Sequence, residues 1–262
     1  MKDWNKQAQA LNRFIRPLSF PIGIKLVQSV EDFPEKTRRP LADLGFKTTI
    51  CISIAMTRKY GWTVGMTPED SMCPVADLLY GWNETGKKIE SNLFAFLKSM
   101  NYGTNDSAIE AMLQSAKQFQ LDSGQYAGIV FSPLELGRVD PDMVMIFCNS
   151  AQVMRLVHAA TREDGIELLS IFTGRFGSCN EGVLQTIKTD QPKIVLPGNG
   201  DRVWGMVQDD EFIFTIPAGR IDQIIEGLEA THQAGVRYPI PVDIRHIPNF
   251  PPQLLAADEQ SA

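Results

Sequence analysis

Asp142-Met143-Val144-Met145-Ile146-Phe147-Cys148-Asn149-Ser150-Ala151-Gln152-Val153-Met154 decides the fold class. Met143 to Cys148 is an unbroken apolar run of strand length, the kind that forms a buried strand. Ser150 then caps a helical pattern that runs from Ala151 to Arg162, and Asp164-Gly165 stops it. Outward from this strand–helix unit the alternation continues. Tyr126 to Phe131 precedes it as a strand and Ile166 to Phe172 follows as another. Gly174-Arg175-Phe176-Gly177-Ser178-Cys179 is a Gly-rich turn into a helix from Asn180 to Lys188. Ile194-Val195-Leu196 and Glu211-Phe212-Ile213-Phe214 read as strands flanking the turn Pro197-Gly198-Asn199-Gly200-Asp201-Arg202, and a last helix runs from Ile221 to Gln233.

The N-terminal part has the same grammar. A helix over Asp3–Ile15 is closed by Arg16-Pro17, and Ile22–Val27 is a strand. Thr48-Thr49 caps a helix to Lys59, which Tyr60-Gly61 ends, and Trp62–Met66 is a strand. Cys73-Pro74 opens a helix to about Leu79, with two more near Ile89–Met100 and Asp106–Gln120. The class is therefore α+β with an α/β-like alternation: two related halves of mixed sheet and helices, residues 1–122 and 123–237, and a proline-rich extended tail over 238–262. Ala55–Gly61 lines up with Ala159–Gly165, which predicts an internal duplication with Cys73 and Cys179 in comparable places.

The chain has 262 residues, 44% hydrophobic and 21% charged, which excludes a disordered or disulfide-dense miniprotein class. The net charge of −6 makes it a poor partner for nucleic acid. Its longest uncharged apolar run, Thr48 to Thr57, is far too short for a membrane span. No secretory signal pattern opens the chain, so the cytoplasm is the expected compartment. The proline-rich tail suits packing on the surface or on a second copy, a homo-oligomer.

Chemistry points to the cysteines. Cys51, Cys73, Cys148 and Cys179 have no C-x-x-C spacing, so any shared site must be assembled by the tertiary fold. Cys148 lies in the apolar run and reads as a core residue. Cys73 and Cys179 each sit at the mouth of a helix, where free N–H groups favour thiolate and anions. Cys51 shares a helix face with Arg58. The Gly198–Arg202 turn allows left-handed backbone and an anion nest, with Arg202 as a clamp. No P-loop and no G-x-G-x-x-G is present, so no nucleotide cofactor is expected. His158, His232 and His246 fit no ligand spacing.

The order Ile22-Gly23-Ile24-Lys25, Cys51 with Thr57-Arg58 and Gly61, then Cys73, resembles the uncharacterised family numbered 169 among domains of unknown function. Asp142 to Cys148, Gln152-Val153-Met154, Ser178-Cys179, Pro197 to Arg202, Asp210-Glu211-Phe212 and Ile216-Pro217 extend the resemblance over roughly residues 20 to 232. The resemblance implies a cytoplasmic protein with oxygen-sensitive chemistry nearby and assigns no reaction.

Two readings of the site stay open, beside a third in which the proline-rich tail marks a structural or assembly partner. In the first, Cys51, Cys73 and Cys179 ligate an iron–sulfur cluster, or one of them a haem iron. Lys25, Arg58 and Arg202 then hold acidic groups of a small-molecule ligand. In the second, a metal-free site grips a carboxylate or phosphate through Gly198, Gly200 and Arg202. The Gly174–Cys179 turn grips the same anion, with Cys179 its nucleophile or a bystander, and Arg58 is the other candidate catalytic residue.

Overall fold

The computed structural model describes residues 2–82 and 86–242. Six strands form one sheet: β1 Ile22–Val27, β2 Val64–Met66, β3 Gly128–Pro133, β4 Met143–Cys148, β5 Lys193–Val195 and β6 Phe212–Pro217. Their order is β2-β3-β1-β4-β6-β5, and every pair is antiparallel. The helices are α1 Trp4–Phe14, α2 Pro40–Leu44, α3 Ile50–Tyr60, α4 Pro74–Leu79, α5 Gly86–Ser99, α6 Asp106–Lys117, α7 Ser150–Ala160, α8 Gln185–Thr189, α9 Asn199–Val203 and α10 Ile221–Gln233. A π-helix, Gly177–Leu184, runs directly into α8. The fold is α+β.

Strand alternation sends side chains to two cores. Ile22, Ile24, Met143, Met145 and Phe147 face α3 to α6 and the π-helix. Val144, Ile146, Cys148, Phe214 and Ile216 face α1, α7 and α10. That alternation within β4 explains its unbroken apolar run: both faces of the strand are buried.

The strand order is symmetric about the central β1–β4 pair. In the first unit β1 leads through α3 to β2, and β3 returns between them. In the second β4 leads through the π-helix and α8 to β5, and β6 returns between them. The details match at one constant spacing. Thr57 of α3 donates to the Phe131 carbonyl on β3, while Thr186 of α8 hydrogen-bonds the Thr215 hydroxyl on β6. Each helix stops on a left-handed residue three positions before its edge strand, Gly61 (φ 72°) before Val64 and Asp190 (φ 50°) before Lys193.

This correspondence corrects the expected one. Ala55–Gly61 lies on α3 and Ala159–Gly165 at the end of α7, and those helices pack on opposite faces of the sheet. Cys73 is therefore not the structural counterpart of Cys179; that place belongs to Cys51. Cys51 is six residues before Thr57 and Cys179 is seven before Thr186, the one-residue difference that a π turn inserts.

Three smaller expectations also change. Asn149 rather than Ser150 is the N-cap of α7, its side chain accepting from the Gln152 amide. Residues 166–172 form no strand, because Ile166, Leu169 and Phe172 are exposed and have no face to bury. The turn at 197–202 is instead the start of α9. The tail is described only to Val242, so the expected extended segment lies largely outside the described residues.

Close packing of α7 on α10 depends on Gly227. A Cβ there would stand 2.7 Å from the Ala159 carbonyl oxygen and 2.8 Å from its Cα. Gly227→Ala gains helix propensity but must push two backbones apart, so a net loss of about 1–3 kcal/mol is expected in denaturant unfolding. An unchanged or higher midpoint would refute the close approach.

Candidate functional site

Three of the four cysteines meet. Thr49 caps α3, its hydroxyl accepting from the Ile52 amide, and this sets Cys51 in the first turn. Cys73 is the N-cap of α4, with Pro74 at the first helical position. Cys179 lies in the π-helix. All three line one cleft of about 640 Å³, open mouth included, whose walls are Val75, Phe96, Leu97, Tyr102, Phe176 and Trp204. Cys148 is on the opposite face of the sheet, buried, its thiol donating to the Ile146 carbonyl 3.7 Å away, as a core cysteine should.

The cleft is a seam between the two β-α-β-β units. Cys51 comes from the first unit's crossover helix and Cys179 from the second's, so the internal symmetry brings them together. Cys73 belongs to the segment that follows β2. Asp201, 3% exposed, ties together two elements of the second unit's wall, the π-helix and α9. Its carboxylate accepts from the Gly198 amide at 2.8 Å, the Ser178 amide at 3.0 Å and the Ser178 hydroxyl, and its charge helps raise the nearby Cys51 thiol. Behind the cleft, fully buried Tyr80 donates its hydroxyl to the Cys179 carbonyl at 2.9 Å.

The expected anion nest therefore already holds an anion. Asp201 takes the Gly198 amide of that turn, together with the Ser178 amide of the π-helix. Neither Gly198 nor Gly200 adopts a left-handed conformation; Gly198 is glycine because a Cβ would stand 2.9 Å from the Arg175 carbonyl oxygen. Gly200 does line the cleft.

The expected thiolate character is also reversed. Burial pushes the Cys179 thiol well up, and Cys51, Cys73, Asp201 and Glu181 add to the effect. It donates to the Phe176 carbonyl at 3.6 Å, an arrangement that favours the protonated thiol. Burial likewise raises Cys51, with Asp201 beside it. Cys73 is raised by burial although the Ala76 and Val75 amides pull the other way. Metal-free protein at pH 7 should accordingly show at most two thiols to an aromatic disulfide reagent, and all four only after unfolding. Fast labelling of Cys179 in the native state would contradict this picture.

The three basic residues expected at the site are committed elsewhere. Lys25 pairs with Asp142 at 3.7 Å and the Asp140 carbonyl at 3.0 Å. Arg58 is buried in a two-pronged pair with Glu211, at 2.8 and 3.0 Å, and stacks 3.9 Å above the Phe147 ring centre. Arg202 reaches the Gln208 carbonyl at 2.6 Å. None of them lines the cleft, which offers a different cation, Arg175. Arg175 sits inside the glycine-rich turn whose cysteine drew the attention. Asp201 could have been found by its place three residues after Gly198, where an acidic side chain caps a helix start.

Among the described residues, no three His, Cys, Asp or Glu side chains are grouped so as to hold a metal ion, and no helix is long and apolar enough to cross a membrane. No solved structure matches the chain. The uncharacterized protein MJ0308 of Methanocaldococcus jannaschii is 21% identical over 212 residues, covering 81% of this chain and 88% of that protein. The family model DUF169, described as uncharacterised ArCR, matches residues 10–227, a span that contains both β-α-β-β units and every cysteine of the cleft. The chain thus belongs to the DUF169 family.

Proposed function

We propose that the cleft is a cofactor site in which Cys51, Cys73 and Cys179 are the thiolate ligands of an iron–sulfur cluster. The observation that carries this reading is the convergence of three cysteines, far apart in the chain, on one apolar-walled cleft. A single tetrahedral ion would need its sulfurs within about 4 Å of one another. A cluster holds its ligands on separate irons and spreads them more widely, which suits thiols that line a cleft without forming a tight group. The raised thiols are no obstacle, since coordination to a metal removes the proton outright. Three protein ligands leave an iron able to take a small molecule. Four free cysteines fit a reducing compartment, and we place the protein in the cytoplasm.

The test is purification without oxygen, or reconstitution with iron and sulfide. The expected result is a broad visible charge-transfer absorption with matching iron and acid-labile sulfide. Both should be lost in Cys73→Ser and Cys179→Ser and kept in Cys148→Ser. A colourless protein, or unchanged iron in the first two variants, overturns the reading. A sharp Soret band replaces the cluster by a tetrapyrrole.

A further inference from the structure

We propose that Arg175 is the specificity-determining residue of this cleft, and that it receives the carboxylate of a small organic acid. The inference rests on the cleft being a ligand site and goes beyond the cofactor to the molecule bound beside it. Arg175 lines the cleft, is half-buried, and is the one cation lining it among the described residues. Its guanidinium has no hydrogen-bond partner among the described residues, and its Nε is buried away from water without one. A buried donor left unmade is costly, and such sites in folded proteins commonly wait for a ligand.

The neighbouring carboxylates do not fill this role, because the chain has spent them on other donors. Both oxygens of Glu181 go to Thr173, one to its amide at 3.4 Å and one to its hydroxyl. Both oxygens of Asp201 go to Ser178, one of them shared with the Gly198 amide. Arg175 itself is held in place from behind, its amide donating to the Thr173 hydroxyl at 3.3 Å. A planar guanidinium fork matches a carboxylate bidentately. The remaining walls, Phe96 and Trp204 at the mouth and Leu97 within, favour an apolar body behind that group. Such walls also favour a singly charged carboxylate over a phosphate, whose second charge would cost further desolvation.

Benzoate and butyrate are the probes, titrated by calorimetry against the full chain, with benzamide and inorganic phosphate as comparisons. At least one carboxylate should bind the wild type, and its amide at least tenfold more weakly. Arg175→Gln should lose tenfold or more and Arg175→Lys less, while Arg202→Gln, which alters an arginine outside the cleft, should bind as the wild type does. If Arg175→Gln does not fold, the Lys variant and the amide comparison decide. Absence of carboxylate binding, preference for phosphate, or an equal loss in Arg202→Gln overturns the proposal. Iron and sulfide are measured on the same samples. Arg175-dependent binding to colourless protein would refute the cluster alone, and a cluster without such binding would refute only the role of Arg175.

Discussion

Arg58→Met is expected to destabilise the protein by about 3–5 kcal/mol, because it strands a buried carboxylate. Arg58 is 1% exposed and Glu211 5% exposed. The guanidinium gives Glu211 two charge-assisted hydrogen bonds and gives the Met206 carbonyl a third at 2.6 Å. Burial alone would push the Glu211 carboxyl up, but Arg58 and the Gln208 amide outweigh it and hold it below its usual range. Its contribution is therefore present above the unfolded carboxyl value, about 4.3, and is lost as pH falls through the lower folded value. In Arg58→Met the same carboxyl loses the guanidinium, keeps only the Gln208 amide, and rises. The difference between variant and wild type should be greatest near neutral pH and shrink in acid. A midpoint about 10 °C lower is expected at pH 7. Adding Glu211→Leu to Arg58→Met should recover much of the loss, since a pair replaced whole by apolar groups is often tolerated. A single variant with an unchanged midpoint would refute this account.

That pair also shows what a linear reading of this chain could reach. Cys51 and Arg58 do share a face of α3, but the guanidinium was spoken for by a residue 153 positions away. Nothing local announces such a partner. Lys25 and Arg202 mislead for the same reason, because a charged side chain on a legible element still chooses its partner in three dimensions. The elements themselves were clearer. β1, β4 and α3 carry their signals in apolar runs and caps, which are short-range physics.

Residues 166–172 have the composition of a strand and form none. They lie beside edge strand β5, with the Ser170 hydroxyl accepting from the Ile194 amide and the Leu169 carbonyl from Lys193 Nζ, but no ladder forms. Pairing there would still leave Leu169, 78% exposed, with no layer to cover it. The duplication was misplaced because Ala55–Gly61 and Ala159–Gly165 share only the chemistry of a helix end. The true correspondence rests on Thr57 with Thr186 and Gly61 with Asp190, a pattern that identity does not reveal and a π turn shifts by one residue. The thiols were legible as helix-mouth residues. Their protonation was not, because burial overrides the helix terminus and burial is a property of the assembled fold.

Asp201→Ala should be damaging in both stability and site integrity. The carboxylate is the acceptor for two buried amides and a buried hydroxyl, and leaving each without a partner costs about 1–3 kcal/mol. A total loss of about 3–5 kcal/mol is expected after partial relaxation. Asp201→Asn should recover part of it, because its carbonyl oxygen can keep the two amides while its amide nitrogen donates to the Ser178 hydroxyl, which also accepts. Site and stability should fail together, because the same group joins the π-helix that carries Cys179 to the helix that carries Trp204. In metal-free Asp201→Ala, the π-helix loses its tie to α9 and that wall of the cleft loosens. Labelling of Cys51 and Cys179 should therefore accelerate at temperatures where the variant is still folded. Arg58→Met offers the comparison: it lowers stability by a similar amount through a pair outside the cleft. If the two variants label alike when matched for stability, Asp201 is only another buried acceptor. If Asp201→Ala alone exposes the thiols, the carboxylate is the clasp that holds the second unit's wall of the cleft together.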